Sequence, residues 1–183
     1  MTTTTRTPGH LVIAASDAID RVARALTVTF LCVLVVAVMI QVVARYAFAS
    51  PPAWTEELAR YAMIWAGLMG ATMSFKRRFD PAMFQNPRPR LAALAIGAAV
   101  LQSVVVLVYL LPILWHSVYG PGMNFERGFL LRHARMTAST LEVPTLVVAI
   151  AVPLMVVFIL VHLAARWCGD PAGSGPSAHD ADG

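Results

Sequence analysis

The chain is poor in charged residues and in cysteine. Asp, Glu, Lys and Arg make up 13% of its 183 residues, whereas 58% are hydrophobic. Soluble domains carry about 25% charged and about 45–50% apolar residues. With a mean hydropathy of +0.67, the composition excludes an ordinary soluble domain and indicates an integral membrane protein.

The scarcity of cysteine and of catalytic motifs excludes several classes of site. Cys32 and Cys168 are the two cysteines, and their spacing suits neither a disulfide framework nor a zinc site. The sequence has no G-x-S-x-G, no H-E-x-x-H and no phosphate-binding glycine loop. Glu56 and Glu57 are neighbours about 100° apart on a helix, so they cannot face each other as a general acid and base. We therefore expect no enzymatic activity.

No cofactor or nucleic acid is expected either. His116 and His162 would lie near opposite ends of two membrane helices, too far apart to bind one haem iron. The formal charge is +4, but the basic residues occur in short runs beside apolar segments. This distribution is typical of membrane-protein loops and lacks the aromatic residues that single-stranded nucleic acid requires.

Four apolar segments are long enough to cross about 30 Å of hydrocarbon. They cover residues 25–44, 54–75, 91–115 and 143–165. The second contains only 15 uncharged residues, from Tyr61 to Phe75, and reaches crossing length by extending back through Arg60 to Trp54. The predicted fold is an all-α integral membrane protein whose four-span domain occupies residues 25–166.

The N-terminal segment, residues 1–24, predicts an amphipathic helix lying on the membrane surface. Its apolar positions follow helical spacing: Leu11, Ala15, Ile19, Val22 and Leu26. A simple solvated extension is the alternative. At the other end, residues 167–183 are rich in Gly, Pro, Ala and Asp and predict a disordered tail.

The basic residues predict the direction of the spans. Three lie before the first span, five lie between the second and third, and one follows the fourth, whereas four lie in the remaining loops. By the positive-inside rule, both termini are cytoplasmic. The connection between the first two spans then lies outside.

Charged residues gather at that outer connection. Arg45 ends the first span, and Glu56, Glu57 and Arg60 begin the second. Because the connection is short, we expect the four side chains to lie together and neutralise one another. Glu56 and Arg60 have the favoured i,i+4 order. The cluster either only pins the two helices together or also forms part of a docking surface for another membrane subunit.

The second span presents two different faces. Trp54, Leu58, Tyr61 and Trp65 share one helical face. Another face is lined by small residues that allow close helix packing, namely Ala66, Gly67, Gly70, Ala71 and Ser74. We expect Trp54, Tyr61, Trp65, Gly67 and Gly70 to act as packing anchors, as suits a helix within an assembly.

The segment QVVARYAFASPPAWTEELARYAMIWAGLMGATMSFKRR resembles the DctQ-type small membrane subunit of tripartite ATP-independent periplasmic (TRAP) transporters. The matching positions are Arg45, Trp54, Glu56, Glu57, Arg60, Trp65 and Gly70. The run RMTASTLEVPTLVVAIAVPL is similar to the segment that leads into that family's last span. The sequence FDPAMFQNPRPR departs from the His-hydrophobic-x-Val-Asp pattern that often follows the basic run in the family.

The resemblance implies a component of a bacterial inner-membrane transporter without the transport site itself. Its partners would be a large multi-span permease subunit, a periplasmic solute-binding protein and the lipid bilayer, with no cofactor. The transported solute would be an organic acid or a related compound. Two alternatives remain: a self-contained proton-coupled homo-oligomeric transporter that uses Glu56 or Glu57, and a membrane-anchored assembly or signalling protein.

Overall fold

A computed structural model describes residues 8–77, 92–120 and 122–169. Within these residues all the regular elements are helices. The four longer ones are α1, Pro8–Phe48; α2, Ala53–Arg77; α3, Ala92–Val118; and α6, Ala151–Trp167. A 3₁₀ turn, Phe125–Arg127, and the short helices α4, Phe129–Ala134, and α5, Leu146–Ala149, lie between α3 and α6. The predictions for residues 1–7, 78–91 and 170–183 lie outside the described residues.

Helix α1 is one continuous helix of 41 residues, about 60 Å long at 1.5 Å per residue. The predicted amphipathic segment is therefore not a separate surface helix, because it runs without a break into the first apolar segment. Its polar side faces the protein: Ser16 and Asp20 are buried, whereas Leu11 and Val22 are at least half exposed. Contacts of these polar side chains with α2 and α6 explain the difference from the prediction.

A tight turn joins α1 to α2. Ala49 adopts a positive φ of 53°, and the Ser50 N–H donates back to the Ala44 carbonyl at 3.3 Å. A serine followed by proline, as at Ser50 and Pro51, is a common helix start, but α2 begins later, at Ala53. The Pro52 carbonyl instead accepts a hydrogen bond from the Thr55 hydroxyl at 2.7 Å, which fixes the start of α2.

Helices α1, α2 and α6 form the centre of the bundle. Phe30 on α1 stacks on Trp65 of α2, and Lys76 near the end of α2 reaches back to Asp17. These contacts show that α1 and α2 are antiparallel. Two contacts along the C-terminal part of α6 show the same for α1 and α6: Ser16 meets His162, and Gly9 meets Cys168. It follows that α2 and α6 run side by side in the same direction.

Helix α3 packs along α6 in the opposite direction. Leu110 of α3 joins Val156 and Ile159 in an apolar cluster against which Phe75 of α2 also packs. Nearer the start of α3, the indole N–H of Trp167 donates to the Ser103 hydroxyl at 3.1 Å. The long helices therefore alternate in direction, and the ends of α1 and α2 that carry the short turn lie on one side of the bundle.

The last helical segment is interrupted between α5 and α6. Proline has no N–H to donate and its ring crowds the carbonyl four residues earlier. For Pro153 that carbonyl belongs to Ala149, the last residue of α5. The predicted span over 143–165 is thus observed as two helices, α5 and α6, which are joined at Ile150. The first of them begins at Leu146.

The segment between α3 and α5 folds back on the end of α3. A Cβ at Gly128 would lie 2.1 Å from the Val118 carbonyl oxygen, so only glycine fits this approach. Residues 136–145 form a narrow turn in which the Ala138 N–H donates to the Val143 carbonyl at 2.9 Å. Glu142 lies at its tip with a positive φ of 53°.

Three helical stretches within the described residues are long and apolar enough to cross a membrane: Gly9–Phe48, Ile96–Val118 and Leu146–Trp167. Helix α2 is not one of them. It has 25 residues, but charged residues at both ends and many small residues between them lower its hydropathy. Its place in the bundle nevertheless is beside α1 and α6 rather than across their ends.

Candidate functional site

Glu56 and Arg60 form an ion pair on the outer surface of α2. Arg60 Nη2 donates to Glu56 Oε1 at 2.9 Å. The Arg60 side chain is 62% exposed and the Glu56 side chain is 66% exposed. The pair has the predicted i,i+4 geometry, but the isolated chain does not bury it. The two charged side chains therefore lie on the outside of the helix bundle.

Glu57 points in another direction, toward the turn that precedes α5. Its Oε2 accepts hydrogen bonds from the backbone N–H groups of Thr140 at 3.0 Å and Leu141 at 3.1 Å. The Thr140 hydroxyl donates to the same oxygen, and the Tyr61 hydroxyl donates to Oε1 at 3.3 Å. Glu57 thus anchors the 136–145 turn to α2.

The four predicted charges do not gather into one cluster. Arg45 is exposed near the end of α1 and, within the described part of the chain, forms no ion pair shorter than 4.0 Å. The structure brings together Glu56 with Arg60 and sends Glu57 to Thr140. Sequence neighbours on a helix diverge by about 100°, which explains why Glu56 and Glu57 have different partners.

Of the two tryptophans predicted to act as packing anchors, one packs in the bundle and the other is exposed. Trp65 stacks on Phe30 with ring centres 5.2 Å apart, and its indole N–H donates to the Val147 carbonyl at 3.0 Å. It therefore links α2 to α1 and to α5. Trp54 is 40% exposed and contributes less to the interior.

The two predicted glycines lie in different surroundings. A Cβ at Gly70 would lie 3.9 Å from Thr27 of α1, in ordinary contact, whereas a Cβ at Gly67 would meet nothing within 4 Å. Gly70 thus packs inside the bundle. Gly67 faces outward and packs against no other helix among the described residues.

One face of α2 is exposed along most of its length. We call it the α2 outer face and define it by five residues at helical spacing: Glu56, Arg60, Met63, Gly67 and Ala71. It combines an ion pair at one end with small residues at the other. Both features differ from the Val- and Leu-rich exposed surfaces of α1 and α3.

The charged end of this face lies level with apolar residues of α1. Trp65 contacts Phe30, and the two helices are antiparallel, so Arg60 lies at about the level of Val35 along the bundle axis. Val35 is inside the uncharged run 25–44. Ionisable residues at such a depth almost always face protein or a water-filled cavity rather than lipid.

The family model for the DctQ component of tripartite ATP-independent periplasmic transporters matches residues 34–171. This match covers well over half of the chain. The chain belongs to the DctQ family. No match was found among curated proteins or among solved structures.

Membership indicates the small subunit of a TRAP transporter, and the family is one of transporter components rather than of enzymes. Together with three helices long enough to cross a membrane, it makes this DctQ chain a membrane protein. No three His, Cys, Asp or Glu side chains come together to hold a metal in residues 8–77, 92–120 and 122–169.

A second polar region of this DctQ protein was not predicted. It lies where the start of α1 meets the ends of α2 and α6, and we call it the basal cluster. Its members are Ser16, Asp17, Asp20, Arg24, Lys76, Arg77 and His162. Ser16, Asp20 and Thr27 follow helical spacing, so a polar stripe about 100° around the helix from the apolar one could have revealed it.

The basal cluster joins three helices. Lys76 Nζ lies 2.6 Å from Asp17 Oδ1, and the Lys76 side chain is only 6% exposed. Asp20 Oδ2 lies 3.1 Å from Arg24 Nη2 and 3.6 Å from Arg77 Nη2. Buried Ser16 is 2.8 Å from His162 Nδ1. The cluster therefore ties α1 to α2 by charge and to α6 by a hydrogen bond.

Proposed function

We propose that this chain packs beside a large multi-span permease subunit and supports its ion-gradient-driven uptake of an organic acid or related solute. In this proposal a periplasmic binding protein delivers the solute, and the transport path belongs to the permease. Membership of the DctQ family supports the proposal.

We further propose that α2 is the fourth membrane span. It runs antiparallel to α1 and beside α6, and both of these neighbours contain stretches long enough to cross a membrane. Partners of Arg60 inside the membrane would remove the main obstacle to its insertion. With four spans, both termini lie on one side, and the distribution of basic residues favours the cytoplasmic side of the inner membrane.

The α2 outer face is the proposed contact with the permease. The observation that carries this is the exposed Glu56–Arg60 pair, level with the uncharged run of α1. Lipid is a poor environment for such a pair, whereas polar groups of a second protein would satisfy its remaining hydrogen-bonding capacity. Gly67 and Ala71 on the same face would let a helix of the partner approach closely.

The two carboxylates have roles that do not require proton transport. Glu57 accepts hydrogen bonds from Thr140, Leu141 and Tyr61, which favours a structural role. Glu56 is paired with Arg60. Neither arrangement favours the alternative of a self-contained proton-coupled transporter.

The proposal can be tested by co-purification of the full chain with the large permease from native membranes. Gly67→Leu fills the α2 outer face at a position where an added Cβ would meet nothing within 4 Å in the described part of the chain. We expect it to reduce recovery of the permease roughly tenfold or more, because overpacking of an interface commonly costs about 1–3 kcal/mol. Gly97→Leu on α3 is the matched control, since its Cβ would also meet nothing within 4 Å.

A charge test complements the volume test. Arg60→Glu places two acids side by side on the outer face and should also release the permease, whereas Glu57 and its turn stay in place. Equal recovery of the permease with Gly67→Leu, Arg60→Glu and Gly97→Leu would reject the α2 outer face as the contact. Failure of the unsubstituted chain to recover any permease would reject the subunit proposal itself.

A further inference from the structure

The exposed side of α1 changes from basic to apolar along the helix, which is the order of a lipid headgroup and its acyl chain. It starts with Arg21 and Arg24 and continues at helical spacing with Val28, Leu31 and Val35. The three apolar side chains are 56%, 51% and 55% exposed, respectively. This surface is separate from the α2 outer face and begins at the basal cluster.

The basal cluster carries more positive than negative charge. Arg24 and Arg77 share a single carboxylate oxygen of Asp20, and their side chains remain 56% and 44% exposed. A guanidinium has five N–H donors, so one shared acceptor leaves most of them directed outward. The two guanidinium groups and one carboxylate have a net charge of +1.

Neighbouring charges raise this excess. Lys76 and Asp17 neutralise each other. Arg21 is exposed, and its Nε lies 3.5 Å from the Asp17 carbonyl oxygen rather than from a carboxylate. The basal cluster together with Arg21 therefore contains four basic and two acidic side chains, not counting His162, and has a net charge of +2.

This excess lies at the depth of lipid headgroups. Residues 25–44 are uncharged, and 20 helical residues span about 30 Å, the thickness of the hydrocarbon core. Arg24 and Arg77 are therefore at the boundary where phosphate groups lie. Arg is also the side chain best suited to phosphate, because its planar fork can donate two parallel hydrogen bonds.

We propose that Arg24 and Arg77, assisted by Arg21, bind the headgroup of an anionic phospholipid whose acyl chain lies along Val28, Leu31 and Val35. The net charge selects phosphatidylglycerol or cardiolipin over a zwitterionic lipid of the same chain length. The headgroup phosphate takes up the outward guanidinium donors. This site goes beyond the subunit role and does not depend on it.

The test is lipid binding to the full chain purified in detergent, measured by native mass spectrometry. Phosphatidylglycerol and phosphatidylcholine with identical chains are the two probes. The unsubstituted chain should retain phosphatidylglycerol in preference to phosphatidylcholine. Each basic residue near an anionic surface contributes roughly a fivefold factor, so Arg24→Gln with Arg77→Gln should weaken phosphatidylglycerol binding roughly twentyfold and phosphatidylcholine binding less.

Controls separate a lipid site from other ligands. Arg45→Gln removes an exposed charge from the opposite end of α1 and should leave phosphatidylglycerol binding unchanged. Millimolar inorganic phosphate should not displace the lipid, because it lacks the acyl chain.

Several results would overturn the proposal. Equal retention of the two lipids by the unsubstituted chain would do so even if the double variant failed to fold. Displacement by inorganic phosphate would indicate a simple anion site. Loss of the large permease with unchanged phosphatidylglycerol binding in the double variant would show that a protein occupies this surface.

Discussion

Glu57 on α2 and Thr140, 83 residues further along the chain, are joined by two hydrogen bonds. One Glu57 oxygen accepts from both the backbone N–H and the hydroxyl of Thr140. Because Thr140 lies in the turn just before α5, a single side chain of α2 holds the turn that leads into the last helical segment. The charged start of α2 therefore has an internal role as well as an exposed one.

Removal of the Glu57 carboxylate should loosen the 136–145 turn. In Glu57→Ala the N–H groups of Thr140 and Leu141 lose their acceptor and turn toward solvent. We expect hydrogen exchange at these two amides to speed up several-fold, because local opening no longer breaks charge-assisted bonds. Hydrogen-exchange mass spectrometry of the purified chain measures this directly.

Glu142→Gln is the matched control, because Glu142 is an exposed acid at the tip of the same turn. Its exchange pattern should equal that of the unsubstituted chain. An equal pattern for Glu57→Ala would show that the Glu57–Thr140 contact does not hold the turn in solution.

Trp65 combines a ring contact with a hydrogen bond, and the two can be separated. Trp65→Phe retains an aromatic ring against Phe30 but loses the donor to the Val147 carbonyl. We expect a loss of about 1 kcal/mol in the free energy of unfolding, and a larger loss for Trp65→Ala. Thermal unfolding in detergent measures both. A Trp65→Phe variant as stable as the parent would assign the contribution to the ring alone.

The sequence predicted helices well because membrane helices have a simple signal. Long uncharged runs located α1, α3 and the α5–α6 segment, and the i,i+4 spacing predicted the Glu56–Arg60 pair. The sequence could not show that residues 8–24 continue into the first apolar run without a break. That outcome depends on Asp20 and Ser16 finding partners on α2 and α6, which are distant in the chain.

The partner of Glu57 was unpredictable for the same reason. Spacing alone offers Arg60, three residues after Glu57, as a partner, and nothing local to Thr140 marks it as a donor to α2. The direction of Glu57 is determined by how the 136–145 turn packs against the bundle. Spacing rules describe neighbours on one helix, whereas contacts between turns and helices depend on the tertiary arrangement.

The Ser16–His162 contact should connect α1 and α6 energetically. Ser16 is fully buried and His162 is 3% exposed, so removing one partner leaves a buried polar group in altered surroundings. We expect Ser16→Ala to lower the free energy of unfolding by about 1–3 kcal/mol. The interaction term should appear in a double-mutant cycle with His162→Ala.

The coupling free energy between Ser16 and His162 is measured by unfolding the parent chain, the two single variants and the double variant in the same detergent. Ser103→Ala is a suitable comparison, since Ser103 is also buried but bonds to Trp167 elsewhere in the bundle. Its effect should add independently to that of His162→Ala. Strict additivity for Ser16 and His162 as well would mean that their hydrogen bond does not stabilise the fold.

The proposed orientation can be tested with thiol reagents, because the chain provides one native probe. Cys168 is exposed and adjacent to Gly9, so it reports on the end of the bundle where α1 begins and α6 ends. In a Cys32→Ala background, an impermeant maleimide should label Cys168 only after the inner membrane is opened, since the positive-inside rule puts this end in the cytoplasm.

Two introduced cysteines test the opposite end of the bundle. With Cys168 replaced by Ser, Ser50→Cys and Ser139→Cys should each react in cells whose inner membrane is intact, because both positions are exposed at that end. Labelling of Cys168 in intact cells, with no reaction at positions 50 and 139, would reverse the orientation and place the Glu57-anchored turn in the cytoplasm, where no periplasmic binding protein could reach it.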